Sequence, residues 1–283
     1  MPIRIEELIR KGDVSFTKLE QRVATYLMGR PEALALETSA EIAQKLEVSP
    51  MTVSRFFRKL GFDSATDLRT RARQEMGGSA ASRIGDRYQN FVRAKARQSD
   101  DIDRQVAEAG LNTALALRAM PKWQSGVQAI AGADFVAVVG FQLYEYLARG
   151  LAMRLSYVRP GVSLVTGSDG VYTEVFTQDR GARVLVMIDM FRYAAHGPAL
   201  VEHAKASGYE VILICDEFCD WGPQLADHVF PFPNEGHFFL PFPVGLHFGL
   251  NLLYQDVVYA LGEDATAQVE KMSQYQEVFG AFL

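Results

Sequence analysis

Between Ser49 and Lys59 the sequence SPMTVSRFFRK places hydroxyls, guanidinium groups and an ammonium on one short segment. Hydroxyls suit base edges and cations suit phosphate oxygens, so this set has the chemistry of a nucleic-acid contact. Ser49 is an N-cap residue, and Pro50 stands at the first helical position, where its missing N–H costs nothing. Val53, Phe56 and Leu60 recur at helical spacing and face inward, which leaves Thr52, Ser54, Arg55, Arg58 and Lys59 on exposed faces. Just upstream, Ser39 caps a shorter helix with Ile42 and Leu46 on its apolar side. The small Ala43 sits where two crossing helices must touch. Glu47 occupies the turn, where Gly or Asn would enter a left-handed conformation more easily. An ordinary helical hairpin with a solvated basic face has the same spacing. Turn, small residue and polar tip together favour a helix-turn-helix that binds double-stranded operator DNA through Ser49, Pro50, Thr52, Ser54, Arg55, Arg58 and Lys59.

A second set of polar residues falls in loops further along. Gly140, Gln142 and Tyr144 follow the apolar run FVAVV, whereas Asp189, Arg192 and Tyr193 follow VLVMI. Arg192 is suited to clamping an anion bidentately, with Tyr193 as a hydrogen-bonding partner. His237, two residues after Glu235, is read as a ligand contact rather than a base. The plainer reading is that Arg192 and Tyr193 pair with neighbouring carboxylates or pack on a subunit. Nothing resembles a nucleophile elbow, a phosphate-binding Walker loop or a metal cluster, so catalytic, cofactor and metal residues are all expected to be absent.

Two kinds of element must hold these sets. Residues 3–11 and 17–28 are amphipathic, with Leu19, Val23 and Leu27 as a stripe, and a further helix is expected over 64–74. This gives an all-α domain over residues 1–77. A Gly/Ser/Ala tract over 77–82 reads as linker, with one or two amphipathic connecting helices up to 118. Beyond it, apolar strands at 135–139, 163–165, 184–188, 211–214 and 228–232 alternate with helices at 144–155, 171–177, 198–207 and 224–226. Doubly buried strands alternating with helices imply a five-stranded parallel sheet flanked by helices, over residues 119–262. Ligands of such sheets bind beyond the carboxyl ends of the strands, where both polar loops would meet. Residues 263–283 form an amphipathic helix suited to a subunit interface or to packing on its own domain.

The whole pattern resembles the RpiR/MurR-type transcriptional regulators, whose second domain has a sugar isomerase (SIS) fold. VSPMTVSRFFRKLGF, residues 48–62, and AKASGYEVILICD, residues 204–216, carry the resemblance. It implies a DNA-binding regulator with a sugar phosphate or related sugar derivative as effector, assembled as a homodimer or homotetramer. Two alternatives are a sugar-phosphate isomerase with an accessory helical domain and a DNA-binding protein whose SIS-like domain only oligomerises. The ligand loops depart from the family's pattern. Gly140-Phe141-Gln142-Leu143-Tyr144 replaces Gly-x-Gly-x-Ser, and Asp189-Met190-Phe191-Arg192-Tyr193-Ala194 replaces Ser-x-Ser-Gly-x-Thr.

Charge agrees with this division of labour. The 283 residues carry a net charge of −5, but residues 1–77 hold 13 Lys+Arg against 11 Asp+Glu, a local excess of cations. The longest apolar stretch, around 238–253, is broken by Pro241, Pro243, His247 and Asn251, so no membrane span is expected. Two cysteines, Cys215 and Cys219, are too few for a disulfide scaffold, and a cytoplasmic location is expected.

Overall fold

The computed structural model describes residues 15–29, 34, 37–62, 64, 65, 68, 84, 85, 88, 91, 92, 100–179, 181–190, 193–219, 221–233 and 238–280. The chain forms two compact units, Met1–Arg97 with Gly236–Phe239, and Gln98–Glu235 with Leu240–Leu283.

In the first unit the described helices are α1 (Lys18–Gly29), α2 (Ser39–Lys45) and α3 (Pro50–Lys59). Their apolar spacing closes a small core of Val23, Leu27, Ile42, Ala43, Val53, Phe56 and Phe57, all buried. Leu19, expected to extend the α1 stripe, is instead exposed. Helix α2 starts one residue earlier than its expected cap. Thr38 is the N-cap, and it forms a reciprocal capping box with Glu41 that Ser39 has no geometry to make. The tight turn follows: the Val48 N–H donates to the Ala43 carbonyl at 2.9 Å, and Glu47 adopts φ 50°. A non-glycine residue pays a steric penalty there, which the close packing of α2 on α3 imposes. The helix expected over 3–11 lies outside the described residues, as does most of the one expected over 64–74.

The second unit is a parallel sheet of β1 (Phe135–Gly140), β2 (Val162–Val165), β3 (Arg183–Ile188), β4 (Tyr209–Asp216) and β5 (His228–Phe232), in the order β2-β1-β3-β4-β5. Alternation along β1 sends Val136 and Val138 to one face and Ala137 and Val139 to the other. On the first face lie α4 (Asp100–Arg118), α5 (Pro121–Gly132), α6 (Glu145–Val158) and α10 (Val244–Leu261). The shorter helices α7 (Thr173–Phe176), α8 (Gly197–Ala206) and α9 (Gly222–Leu225) cover the second. Asp256 of α10 accepts from Arg118 at 2.9 and 2.5 Å and from the Trp123 indole at 2.9 Å, which locks three helices of one layer together. A last helix, α11 (Glu263–Phe279), extends from α10. Helices α5 and α10 were not read from the sequence. No described helix is long and apolar enough to cross a membrane.

Candidate functional site

On the first unit, α3 presents the expected polar face, but its residues divide into two groups. Ser49 caps the helix, accepting from the Thr52 N–H at 3.1 Å, and Pro50 follows at the first position. Thr52 is buried rather than exposed, and its hydroxyl bonds Ser49 Oγ at 2.9 Å, so the cap consumes the group expected to meet DNA. Lys59 donates to Glu20 Oε2 at 2.7 Å and to the Ser15 carbonyl at 3.0 Å. Glu20 is itself buried; burial opposes its charge, but the bonds from Lys59 and Thr17 outweigh that and hold its carboxyl below the usual value. Lys59 therefore fastens α3 to α1. Arg55 and Arg58 are exposed, Ser54 is half-buried, and Met51, which sequence reasoning passed over, stands 59% exposed on the same helix.

On the second unit, three loops converge at the carboxyl edge of β2, β1 and β3. Gly140 ends β1 under the first turn of α6: a Cβ there would lie 2.6 Å from the Tyr144 carbonyl oxygen and 2.7 Å from Ala148 Cβ. Only glycine lets the helix approach the strand so closely, so Gly140 shapes the turn. Gln142 takes φ 52° and is exposed, whereas Tyr144 ends a 3₁₀ turn and packs on the core.

The loop after β3 is organised by Asp189, which is 2% exposed. Its two carboxylate oxygens accept the Ala194 N–H at 3.2 and 3.1 Å. A Cβ added at Gly197, the first residue of α8, would lie 2.9 Å from Asp189 Oδ2, so the carboxyl group rests against that helix's start. Burial, only partly offset by the Ala194 bond and reinforced by Asp216, pushes the Asp189 carboxyl up to about 7. Tyr193 donates its hydroxyl to Asp216 Oδ1, the same oxygen that accepts the Phe218 N–H at 3.0 Å. On the loop after β2, Asp169 accepts the N–H groups of Val171, Tyr172 and Thr173 at 2.8–3.2 Å, and the Thr173 side chain together with those bonds lowers its carboxyl to about 2. Arg192 and His237, both read as ligand contacts, lie outside the described residues.

Sequence reasoning missed an aromatic wall at this edge. Phe141, Tyr172 and His196 come one from each loop, with ring centroids 5.2 Å (Phe141–His196), 5.7 Å (Tyr172–His196) and 6.5 Å (Phe141–Tyr172) apart. No periodic signal could have found it, because each ring belongs to a different crossover. A concavity of about 280 Å³ lies between α6 and α10, lined by Tyr146, Gly150, Arg154, His247 and Asn251 among others. Cys215 and Cys219 are both free and buried, and the neighbouring Cys219 together with burial pushes the Cys215 thiol up.

Residues 3–79 match the model of the helix-turn-helix domain of the rpiR family. Residues 3–79 therefore carry a helix-turn-helix domain of the rpiR type. Over the whole chain the structure resembles NanR of Vibrio vulnificus, solved with ManNAc-6P, with TM-score 0.58 and 16% identity over 97% of this chain and 98% of that one. The sugar isomerase domain of an RpiR transcription factor from Sphaerobacter thermophilus matches with TM-score 0.54 and 23% identity, over 62% of this chain and 99% of that one. The rpiR-type N-terminal domain is thus followed by an α/β domain with the sugar isomerase fold.

Proposed function

We propose that this protein is a DNA-binding transcriptional regulator whose α/β domain senses a small polar metabolite of the sugar-derivative class and assembles the chain into a homo-oligomer. The observation that carries the reading is the helix-turn-helix of α2 and α3, which leaves Arg55 and Arg58 exposed on an rpiR-type domain. Ser54, Arg55 and Arg58 supply the contacts to operator DNA, and Met51 adds an apolar contact beside them. The sugar isomerase fold and the meeting of three loops at its carboxyl edge support the sensing role, as does the sugar phosphate held by the NanR protein of similar fold. Asp169, Asp189 and Asp216, the aspartates described in these loops, already accept backbone N–H groups, which supports a sensor rather than a catalyst.

A single helix-turn-helix reads only a few base pairs, so specificity requires at least two copies about one helical turn apart. Exposed apolar side chains on the second unit are the proposed meeting surface: Met153 and Tyr157 on α6, Tyr259 on α10, and Val278 and Phe279 on α11. The test is operator binding by wild type, Arg55→Ala and Arg58→Ala over a salt series. Each arginine that meets a phosphate should, when removed, make log K against log salt shallower by roughly one unit. Unchanged affinity and slope in both variants would refute the assignment.

A further inference from the structure

Three loops at the carboxyl edge carry backbone N–H groups that an anionic ligand would need. In each, an aspartate of this chain already takes them. Asp169 accepts three consecutive N–H groups after β2. Asp189 accepts the Ala194 N–H after β3 and lies against the first residue of α8. Asp216 accepts the Phe218 N–H after β4, together with the Tyr193 hydroxyl. Asp189 and Asp216 are 2% and 1% exposed, so these carboxyl groups fill their seats rather than hover near them.

Charge points the same way. Residues 140–144, 166–173, 189–196 and 216–222 contain five carboxylates (Asp169, Asp189, Asp216, Glu217, Asp220) against one arginine, Arg192. A phosphate brought to the start of α8 would meet the Asp189 carboxyl at contact distance, and like charges so close in a desolvated site oppose each other strongly. What faces out beside these carboxylates is partly aromatic: exposed His196 and half-buried Tyr172 pack against Phe141, which is itself buried in the core. Beyond these rings Trp221 meets Tyr193 edge-on at 6.1 Å, and its buried indole N–H has no acceptor among the described residues. Aromatic faces suit the C–H face of a sugar ring. Carboxylates accept from hydroxyls or an ammonium, and a buried N–H donor seeks a ligand oxygen.

We propose that the carboxyl-edge site takes a sugar derivative that carries no phosphate, neutral or amine-bearing, because Asp189 occupies from within the seat that a phosphate would need. The proposal rests on the sensor reading above and narrows its ligand class. It also gives the lost hydroxyls of the loop after β3 a physical meaning: with the acceptor supplied in cis, donors for an external phosphate have no use.

The full-length protein, wild type and the variants Asp189→Asn and Asp189→Ser, tests this in two arms by thermal shift and calorimetric titration at pH 7.5. The first arm uses inorganic phosphate alone. Binding to either variant at least tenfold tighter than to wild type supports the proposal; equal binding to all three proteins, or to none, overturns it. The isosteric Asn variant keeps this arm informative should the Ser variant fold poorly. The second arm pairs glucose, mannose, glucosamine and N-acetylmannosamine with their 6-phosphates. Wild type is expected to bind at least one unphosphorylated member tenfold or more tightly than its 6-phosphate, with that ratio narrowed in both variants. Tighter binding of a 6-phosphate by wild type overturns the proposal and leaves the sensor reading standing. No binding of any sugar to any of the three proteins, with operator binding intact, refutes the sensor reading and the ligand class with it.

Discussion

Asp189→Asn should make the α/β domain more stable at pH 8 and erase a pH dependence that wild type shows. The folded carboxyl sits at about 7 against 3.8 for an unperturbed aspartate. Between those values the folded chain holds a proton that the unfolded chain has released, so stability falls as pH rises from about 4 to about 7 and then levels off. At about 1.4 kcal/mol per pH unit over roughly three units, the loss amounts to about 4 kcal/mol. Asparagine has the same shape and can still accept the Ala194 N–H, but it carries no charge to desolvate. The variant should match wild type near pH 4 and exceed it by about 2–4 kcal/mol at pH 8, less whatever the weaker neutral hydrogen bond gives up. Both tryptophans, Trp123 and Trp221, belong to the α/β unit, so fluorescence-monitored denaturant unfolding of the whole chain reports this domain. Parallel stability profiles for the two proteins from pH 5 to pH 8 would show that Asp189 ionises at its ordinary value, and the burial argument would fail.

Other perturbations separate structural from binding roles on the first unit and test two close approaches. Lys59→Ala should destabilise the helix-turn-helix by about 2 kcal/mol, since it strands buried Glu20, while leaving the salt slope of operator binding as in wild type; a slope shallower by one unit would make Lys59 a phosphate contact instead. Glu47→Gly should raise the stability of the N-terminal unit by about 0.5–1 kcal/mol by relieving a left-handed φ, measured as a rise in Tm by circular dichroism. Gly140→Ala should cost about 1–3 kcal/mol in the α/β domain, because α6 must retreat from β1 to admit a methyl group; an unchanged fluorescence transition would refute this. Replacing Val278 and Phe279 together by Asp should shift the protein toward monomer in sedimentation, and an unaltered oligomer would place the interface off α11.

The parts of this fold that were legible in the sequence are those where one residue's type determines one local geometry. Pro50 after Ser49 started α3 where expected, and the runs FVAVV, VLVMI and VILI became β1, β3 and β4 because strands buried on both faces tolerate little but branched apolar residues. Helix α10 escaped notice for a physical reason. Pro241 and Pro243 looked like interruptions of an apolar stretch, yet Pro243 is the residue before the first turn, where a proline begins a helix as readily as it ends one. Helix α5 was equally quiet, since its buried side chains, Trp123, Val127 and Ile130, are interleaved with small and polar residues. At the sites, the missing information was which partner each polar group would find. Thr52 and Lys59 are of the right types for DNA, but a cap hydroxyl and a buried glutamate at distant sequence positions claim them first.

The same competition for partners explains why the degenerate loops of the α/β domain need not mean a lost site. A motif such as Ser-x-Ser-Gly-x-Thr records the donors that an external anion requires, and Asp189 removes the need for that anion instead of merely failing to bind it. The backbone shape survives the exchange, because the Asp189 carboxylate satisfies the Ala194 N–H and rests against the start of α8. A loop that had simply decayed would leave those groups to water, or would collapse, and a buried aspartate there would be a liability without compensation. Asp189 is kept at 2% exposure and carries the desolvation cost that raises its carboxyl, while three aromatic rings from separate loops stay gathered beside it. Natural proteins retain such strain where a site has work to do, which is why we treat the edge as a binding surface converted to another ligand rather than a lost one.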